Sequence, residues 1–385
     1  MRVLSISSSR ADVGILEPVW RALESRAEVR LHLLLTGMHM AEDAAMVVPA
    51  GAALHRAGAD LGGGGPDQAA AAMAAIAAAA SGVYTAVAPD VVVVVGDRLD
   101  MIPAAVATLP FNLPLVHLHG GERTEGAIDE RIRHALTKLA HLHCVATAEA
   151  GALVAAMGEE QWRIQVTGAP GLDTLIAAPT MAVADFAAAL DLAPDDGLCL
   201  VTVHPETNGP DPAAPLNAVL AALDRAPMPT LFTAPNTDPG GAAMRAQIEA
   251  FVARRPWAAY RATLGGRLYA NALRHATVMV GNSSSGIIEA ALFGLAVINV
   301  GARQRGRTRG PNVHDCAAES TQVSRLLGSV AGRRYDPAQV SLYGDGRSGP
   351  RIAQVITELP DRDKLMAKLL VGASAVQRTG QLELV

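Results

Sequence analysis

Short aliphatic and β-branched runs alternate with longer stretches of helical period along the first half of the chain. Val3 to Ile6, Leu31 to Leu35, Val91 to Val95, Leu115 to Leu118, His143 to Ala146 and Ile164 to Val166 read as strands. Ile15 to Leu23 and a segment from about Ile128 read as helices between them. This alternation is the signature of an α/β fold. The run Val91 to Val95 is apolar at every position, as a strand covered by helices on both faces must be, so it is expected at the centre of a parallel sheet. A second series begins at Leu198 to Val203 and continues through Thr230 to Thr233, Ala258 to Arg261, Val278 to Gly281 and Val297 to Val300. Between the series, Ala177 to Asp196 is rich in Pro and Asp around one helical segment, which puts a boundary near 170–195. The expected domains are 1–175 and 176–358, followed by a tail at 359–385 after a last helix at Arg351 to Glu358. Two α/β halves of this kind imply a cleft.

Composition narrows the class. The chain has 385 residues, enough for two or three cores, and half of them are hydrophobic while only 3% are aromatic, so helix and strand interfaces are filled by Ala, Val and Leu rather than left disordered. The 32 basic against 37 acidic residues leave a net charge of −5, which offers no general attraction to nucleic acid or anionic lipid. All basic residues but Lys138, Lys364 and Lys368 are arginine, whose planar fork suits phosphate and carboxylate and leaves little for Schiff-base chemistry. Cys144, Cys199 and Cys316 are too few and too widely spaced for a disulfide scaffold or a zinc site, which fits a reducing cytoplasm. The amino terminus lacks the order of charges and apolar residues of a signal peptide. The Ala-rich run from Ala69 to Ala80 is expected to fall short of the roughly 20 residues that cross a bilayer.

Ligands of open α/β sheets bind beyond the carboxyl ends of the strands, and those positions are polar here. They carry Ser7-Ser8-Ser9-Arg10, Gly96-Asp97-Arg98, His119-Gly120-Gly121-Glu122, His204-Pro205-Glu206, Pro235-Asn236 and Gly281 to Glu289. The last opens a helix with small polar residues and so can bind phosphate through backbone N–H groups, or can be an ordinary N-cap. It lacks the lysine of a Walker loop, and Gly62 to Gly65 runs into Pro66 rather than into a dinucleotide-binding helix. Asp129 and Arg133, like Glu130 and His134, are four apart on one helix face, and His134, Lys138 and His141 continue a stripe. Surface ion pairing is the plain account of this pattern; acid–base work beside a sugar anomeric carbon is the sharper one. His117 and His119 are two apart, hence expected on one strand face as candidate metal ligands, but no third ligand sits at a recognisable spacing. Arg303, Arg305, Arg307 and Arg309 follow a strand and fit either a solvated loop or a phosphate site.

Taken in order, Ser9-Arg10-Ala11-Asp12, Gly96-Asp97-Arg98, His119-Gly120-Gly121-Glu122, Asp129 with Arg133-His134-Ala135-Leu136-Thr137-Lys138, Val203-His204-Pro205, Asn282-Ser283-Ser284-Ser285-Gly286 and Tyr343-Gly344-Asp345-Gly346 resemble the hydrolysing UDP-N-acetylglucosamine 2-epimerases over roughly residues 2–358. The resemblance implies two Rossmann-like domains in a glycosyltransferase-B-like arrangement and a sugar-nucleotide substrate. It implies elimination of UDP to 2-acetamidoglucal and hydration to N-acetylmannosamine, feeding nonulosonic acid synthesis, with no redox cofactor and no metal. It also implies a homodimer or homotetramer. Asp97, Glu122 and Asp129 fall on the family's acidic catalytic groups and His204 on its active-site histidine. Arg10, Arg98, Asn236, Ser283, Ser284, Glu289 and Arg303 fall on nucleotide and phosphate contacts, and His119 and Arg133 are placed with the binding residues. His rather than Glu at position 119 points to the bacterial hydrolysing branch, whose members also act on nucleotide-linked N,N'-diacetylbacillosamine. A non-hydrolysing 2-epimerase and a retaining glycosyltransferase of the same architecture are the alternatives.

Overall fold

The computed structural model of the chain describes residues 1–41, 48–61, 65–123, 128–192, 197–206, 211–236 and 238–371, so the glycines at 62–64 lie outside the described residues. Two compact units divide it: Met1–Asp173 together with the chain from Gly346 onward, and Thr174–Asp345.

The first unit is built on seven parallel strands, β1 (Arg2–Ser7), β2 (Arg30–Leu35), β3 (Ala53–Arg56), β4 (Val91–Val95), β5 (Leu115–Leu118), β6 (Leu142–Val145) and β7 (Ile164–Val166), in the order β3-β2-β1-β4-β5-β6-β7. The order reverses between β1 and β4, where a parallel sheet opens a crevice for ligands. All five valines of β4 are at most 1% exposed. Burying each contributes about 1.5–3 kcal/mol, so the centre of the sheet is rigid where its end must hold chemistry. Helix α1 (Arg10–Glu24) starts at the end of β1. Its start is set by a capping box in which Ser9 and Asp12 satisfy each other's backbone, one turn earlier than hydrophobic periodicity alone indicates.

Helix α2 (Pro66–Val87) is 22 residues long with a mean hydropathy of 1.6 in its most apolar window, so the expectation that the Ala-rich run is too short to cross a bilayer is corrected. Pro66 starts the helix early and the apolar period continues to Val87. Its Ile76, Ala80, Val83, Tyr84 and Val87 belong to the core of the unit, and Tyr84 donates to the Ala104 carbonyl at 2.7 Å. Helices α3 (Met101–Val106) and α4 (Ile128–Leu139) follow β4 and β5.

The second unit holds six parallel strands, β8 (Leu198–Thr202), β9 (Thr230–Thr233), β10 (Ala258–Arg261), β11 (Ala276–Gly281), β12 (Val297–Val300) and β13 (Val313–Cys316), in the order β10-β9-β8-β11-β12-β13. Its switch point lies between β8 and β11.

Two further features differ from the sequence expectation. The helix Ser348–Thr357 belongs to the first unit rather than to a domain 176–358. Ile352, Ala353 and Ile356 join the first core, Asp173 accepts the Ser348 and Gly349 amides at 2.9 and 2.7 Å, and a Cβ on Gly349 would lie 2.6 Å from the Pro18 carbonyl oxygen. The edge strands β3 and β13 are additional, since their residues are mostly half or fully exposed and lack an apolar signature.

Candidate active site

In the first unit the sheet delivers three polar loops to one region. Gly96, at φ +70, turns the chain sharply after β4 and is followed by Asp97 and Arg98. After β5, His119 holds φ +64, a strained conformation for a residue with a side chain, and Gly121 at φ +77 has no space for one: a Cβ there would lie 2.1 Å from the Ala150 carbonyl oxygen. This left-handed turn ends the strand at Leu118, so His119 does not continue the strand face of His117. His119 Nδ1 instead meets Glu122 Oε1 at 2.7 Å, while its buried Nε2 has no partner among the described residues.

Arg133, on the buried face of α4 and 4% exposed, joins these loops. It donates to the Asp97 carboxylate, to the Glu122 carbonyl at 2.5 Å and to Glu130 at 3.2 Å. The sequence pairs Arg133 with Asp129 and places it among the substrate contacts; in the structure the guanidinium is engaged within the unit, because the side chains of a helix's buried face meet the sheet rather than each other. Arg133 thereby fixes the Asp97 carboxylate at the end of β4. Glu130 does pair with His134, at 3.3 Å. Asp129 faces the charge of Arg98, which Asp12 and Asp100 also face, and Arg98 donates to both Asp100 oxygens at 3.2 Å. Arg10 is exposed in the first turn of α1. Asp12 is spent on the Ser8 and Ser9 amides at 2.7 and 3.0 Å. Sequence reasoning does not identify His39, which is 4% exposed and bonded to Ser7 Oγ at 2.9 Å; its signal is its position after β2, another strand end.

Lys138, His141 and His143 serve the interior. Glu159 is fully enclosed and accepts from Lys138, Lys368 and His143 at 2.5, 2.8 and 3.0 Å. Burial alone would raise its pKa, but these three partners hold it down to about 2. His141 Nδ1 accepts the Leu115 amide at 3.1 Å. Cys144 and Cys199 are buried, with thiols pushed up to about 12 by burial, so neither is a nucleophile.

In the second unit the strand ends form a site around His204. Asn282 clamps its backbone from both sides, accepting the His204 amide at 2.7 Å and donating to its carbonyl at 2.9 Å. The Asn236 amide donates to His204 Nδ1 at 3.1 Å, so Nε2 carries the proton. Burial, with the charge of Arg303 second, pushes the imidazole down to about 4. His204 is therefore a neutral donor, fitted to stabilise an oxyanion and not to abstract a proton. Gly281 makes the turn into the helix Ser284–Leu292; at φ +145 a Cβ would lie 1.9 Å from the Thr202 carbonyl oxygen. Ser283 caps that helix through the Ser285 amide at 3.3 Å, and Ser284 opens its first turn. Arg303 and Gln304 both donate to the Asn282 carbonyl, at 3.3 and 3.0 Å, which carries the first arginine of the basic loop to the start of that helix. Arg309 instead braces its own loop through Asp315 and the Gln304 carbonyl.

Beside this helix lies a cavity of about 370 Å³ lined by Thr202, His204, Thr263, Tyr269, Ser285 and Glu289, among others. Glu289 and the Tyr269 hydroxyl both meet Ser285 Oγ. A nucleoside fits such a space, with carboxylate and hydroxyls for a ribose and the start of a helix for the attached phosphates. Asn236 Oδ1 is buried without a partner among the described residues. Ala262, Thr263, Leu264, Gly265, Gly266 and Tyr269 are among the lining residues that sequence reasoning does not identify; their signal is their place after β10.

A family model described as UDP-N-acetylglucosamine 2-epimerase matches residues 21–357. The chain is 33% identical over 380 residues to the UDP-N,N'-diacetylbacillosamine 2-epimerase (hydrolyzing) of Legionella pneumophila, covering 95% of this chain and 98% of that protein. It is 30% identical to the UDP-N-acetylglucosamine 2-epimerase of Neisseria meningitidis serogroup B over 92% of this chain and 94% of that protein. Among solved structures, the Neisseria meningitidis UDP-GlcNAc 2-epimerase bound to UDP-GlcNAc superposes with a TM-score of 0.73 at 16% identity, covering 93% of this chain and all of that one, a likeness of fold.

Proposed function

The chain belongs to the UDP-N-acetylglucosamine 2-epimerase family, and we propose that it is a hydrolysing 2-epimerase of a UDP-linked 2-acetamido sugar. The observation that carries the reading is the cluster at the ends of β4 and β5, where Asp97 is held by Arg133 and Glu122 by His119. Epimerisation at C2 needs a base for a weakly acidic C–H and a second group to return a proton to the opposite face, and carboxylates from two loops supply both. As Asp97, Glu122 or Asp129 takes the C2 proton, the electron pair forms the C1–C2 double bond and the C1–O bond to the diphosphate breaks. Water then adds its oxygen at C1 while C2 regains a proton, so the products are the free 2-epimeric sugar and UDP. The diphosphate leaves as an anion, for which the residues of the second unit are suited: Ser283 and Ser284 at a helix start, Arg303, and the Nε2–H of His204. Glu289 and Asn236 belong to the nucleoside end.

Two sugars fit the reading. The resemblance in sequence puts UDP-N-acetylglucosamine first, giving N-acetylmannosamine. The similarity to the Legionella pneumophila protein supports the nucleotide-linked N,N'-diacetylbacillosamine equally, so the two substrates are tested side by side. Proton NMR of each UDP-sugar in deuterium oxide reads the reaction: free sugar of inverted C2 configuration with stoichiometric UDP is expected for the true substrate. Interconversion of the UDP-sugars without release of UDP gives the non-hydrolysing enzyme instead.

A further inference from the structure

We propose that His117 is a positioning residue whose ring, braced by Thr137, holds the Gly96 carbonyl and thereby the turn that presents Asp97. The proposal rests on the reading of Asp97 as a reacting acid and names the part of the fold that aims it.

His117 is 0% exposed on β5 and its two nitrogens are both engaged. Nε2 lies 2.8 Å from the Gly96 carbonyl oxygen, and Nδ1 lies 3.4 Å from Thr137 Oγ1. A carbonyl only accepts, so Nε2 carries the proton, Nδ1 is the acceptor, and the Thr137 hydroxyl donates. The Nδ1 lone pair is thus taken by the Thr137 hydroxyl. Burial pushes the imidazole down to about 3, with His119, His143 and Glu122 as the titratable groups that face it, so the ring is neutral and takes no part in proton transfer.

Thr137 and Arg133 stand one turn apart on the buried face of α4. Through them the helix grips one short turn at two points: Arg133 takes the Asp97 carboxylate, and Thr137, by way of His117, takes the carbonyl just before it. Gly96 at φ +70 has little conformational restraint of its own, so the orientation of Asp97 depends on this grip. The other acid loop is seated on the same pair, since a Cβ on Gly120 would lie 3.1 Å from both His117 Nδ1 and Thr137 Oγ1. Lys368 closes the end of α4, donating to the carbonyls of Thr137, Lys138 and Ala140 at 3.2, 2.8 and 2.6 Å.

The test uses the full chain. Displacing a reacting group by about 1 Å lowers turnover by as much as roughly a hundredfold, so Thr137→Val and His117→Leu are expected to lower kcat 10- to 100-fold at unchanged Tm-checked folding. UDP affinity by calorimetry should stay within twofold. His117→Gln, whose amide N–H can occupy the place of Nε2, should recover most of the rate, and His117→Asn should not. Two-bond 1H–15N spectra of 15N-histidine protein should show, beside the Nε2–H rings of His141 and His204, a further Nε2–H imidazole that is absent from His117→Gln, with shifts constant between pH 5 and 8. Parent-like kcat in both His117→Leu and Thr137→Val, equal rates for the Gln and Asn variants, or a His117 ring that titrates near neutrality overturns the positioning role. Failure of the functional reading is distinct: the parent itself then turns over no sugar nucleotide, while the His117 tautomer is intact.

Discussion

The Asn236 backbone amide points at His204 Nδ1 across 3.1 Å and so settles which nitrogen of that ring can act. With Nδ1 accepting, Nε2–H is the outward donor, and burial together with Arg303 keeps the ring neutral down to about pH 4. His204→Gln, which can place an amide N–H near that donor, should retain at least a tenth of the parent rate, whereas His204→Ala should lose roughly 10²-fold or more. The pH profile of kcat should carry no inflection from His204 between pH 5 and 8. Equal losses in both variants, or a profile whose neutral limb disappears in His204→Gln, would assign the histidine to proton transfer.

Acid–base groups contribute about 10²–10⁴ in rate, so Asp97→Asn, Glu122→Gln and Asp129→Asn should each cut kcat a hundredfold or more. Arg133→Met should behave like them, because it removes the partner of Asp97 rather than a contact to substrate. UDP affinity should change less than threefold in all four. A strong loss of UDP binding in Arg133→Met, with kcat preserved, returns Arg133 to the role of a nucleotide contact.

Contacts to the departing diphosphate should show the opposite pattern. Arg303→Ala should weaken UDP binding by about 1.5–3 kcal/mol, the value of a hydrogen bond to a charged group, and Ser284→Ala by less. Titration calorimetry measures both directly, and unchanged affinity in Arg303→Ala places the basic loop outside the site.

Stability should fall on mild acidification. His117, His141 and His204 are held to about 3, 4 and 4 by burial, against 6.5 for the free side chain, so the unfolded chain binds protons that the folded chain refuses. The stability these groups contribute is full above pH 6.5 and declines as pH drops toward 4; at pH 5 His117 alone accounts for up to about 2 kcal/mol. Glu159, held at about 2, keeps its contribution above pH 4.5 and so takes no part in this window. Denaturant unfolding at pH 7 and pH 5 checks the sign, and equal free energies at the two values contradict it.

The strands that position the site were legible in the sequence because they are buried on both faces: Val91 to Val95 needs no partner to be recognised. The edge strands at Ala53–Arg56 and Val313–Cys316 carry no such pattern, since each has one side open. The strand-end rule singles out Asp97, Glu122, His204 and the serine loop as candidates, and it extends to His39 and Thr263 once β2 and β10 are followed to their ends. The partner of Arg133 was not legible. Spacing of four on a helix suggests Asp129, but the guanidinium lies on the face turned to the sheet and meets a carboxylate 36 positions earlier in the chain. The return of Ser348–Thr357 to the first unit was hidden for the same reason, because the contact of Gly349 with Pro18 is a matter of close approach between distant segments.

The most direct measurement of the central claim is the fate of the C2 hydrogen during turnover in deuterium oxide. Proton NMR of the UDP-sugar incubated with the chain should show one free UDP per free sugar, with deuterium at C2 of the inverted product, and synthetic 2-acetamidoglucal should be hydrated to the same product in the presence of UDP. Release of UDP with the original hydrogen retained at C2, together with no hydration of the glycal, contradicts elimination and leaves the glycosyltransferase reading in its place.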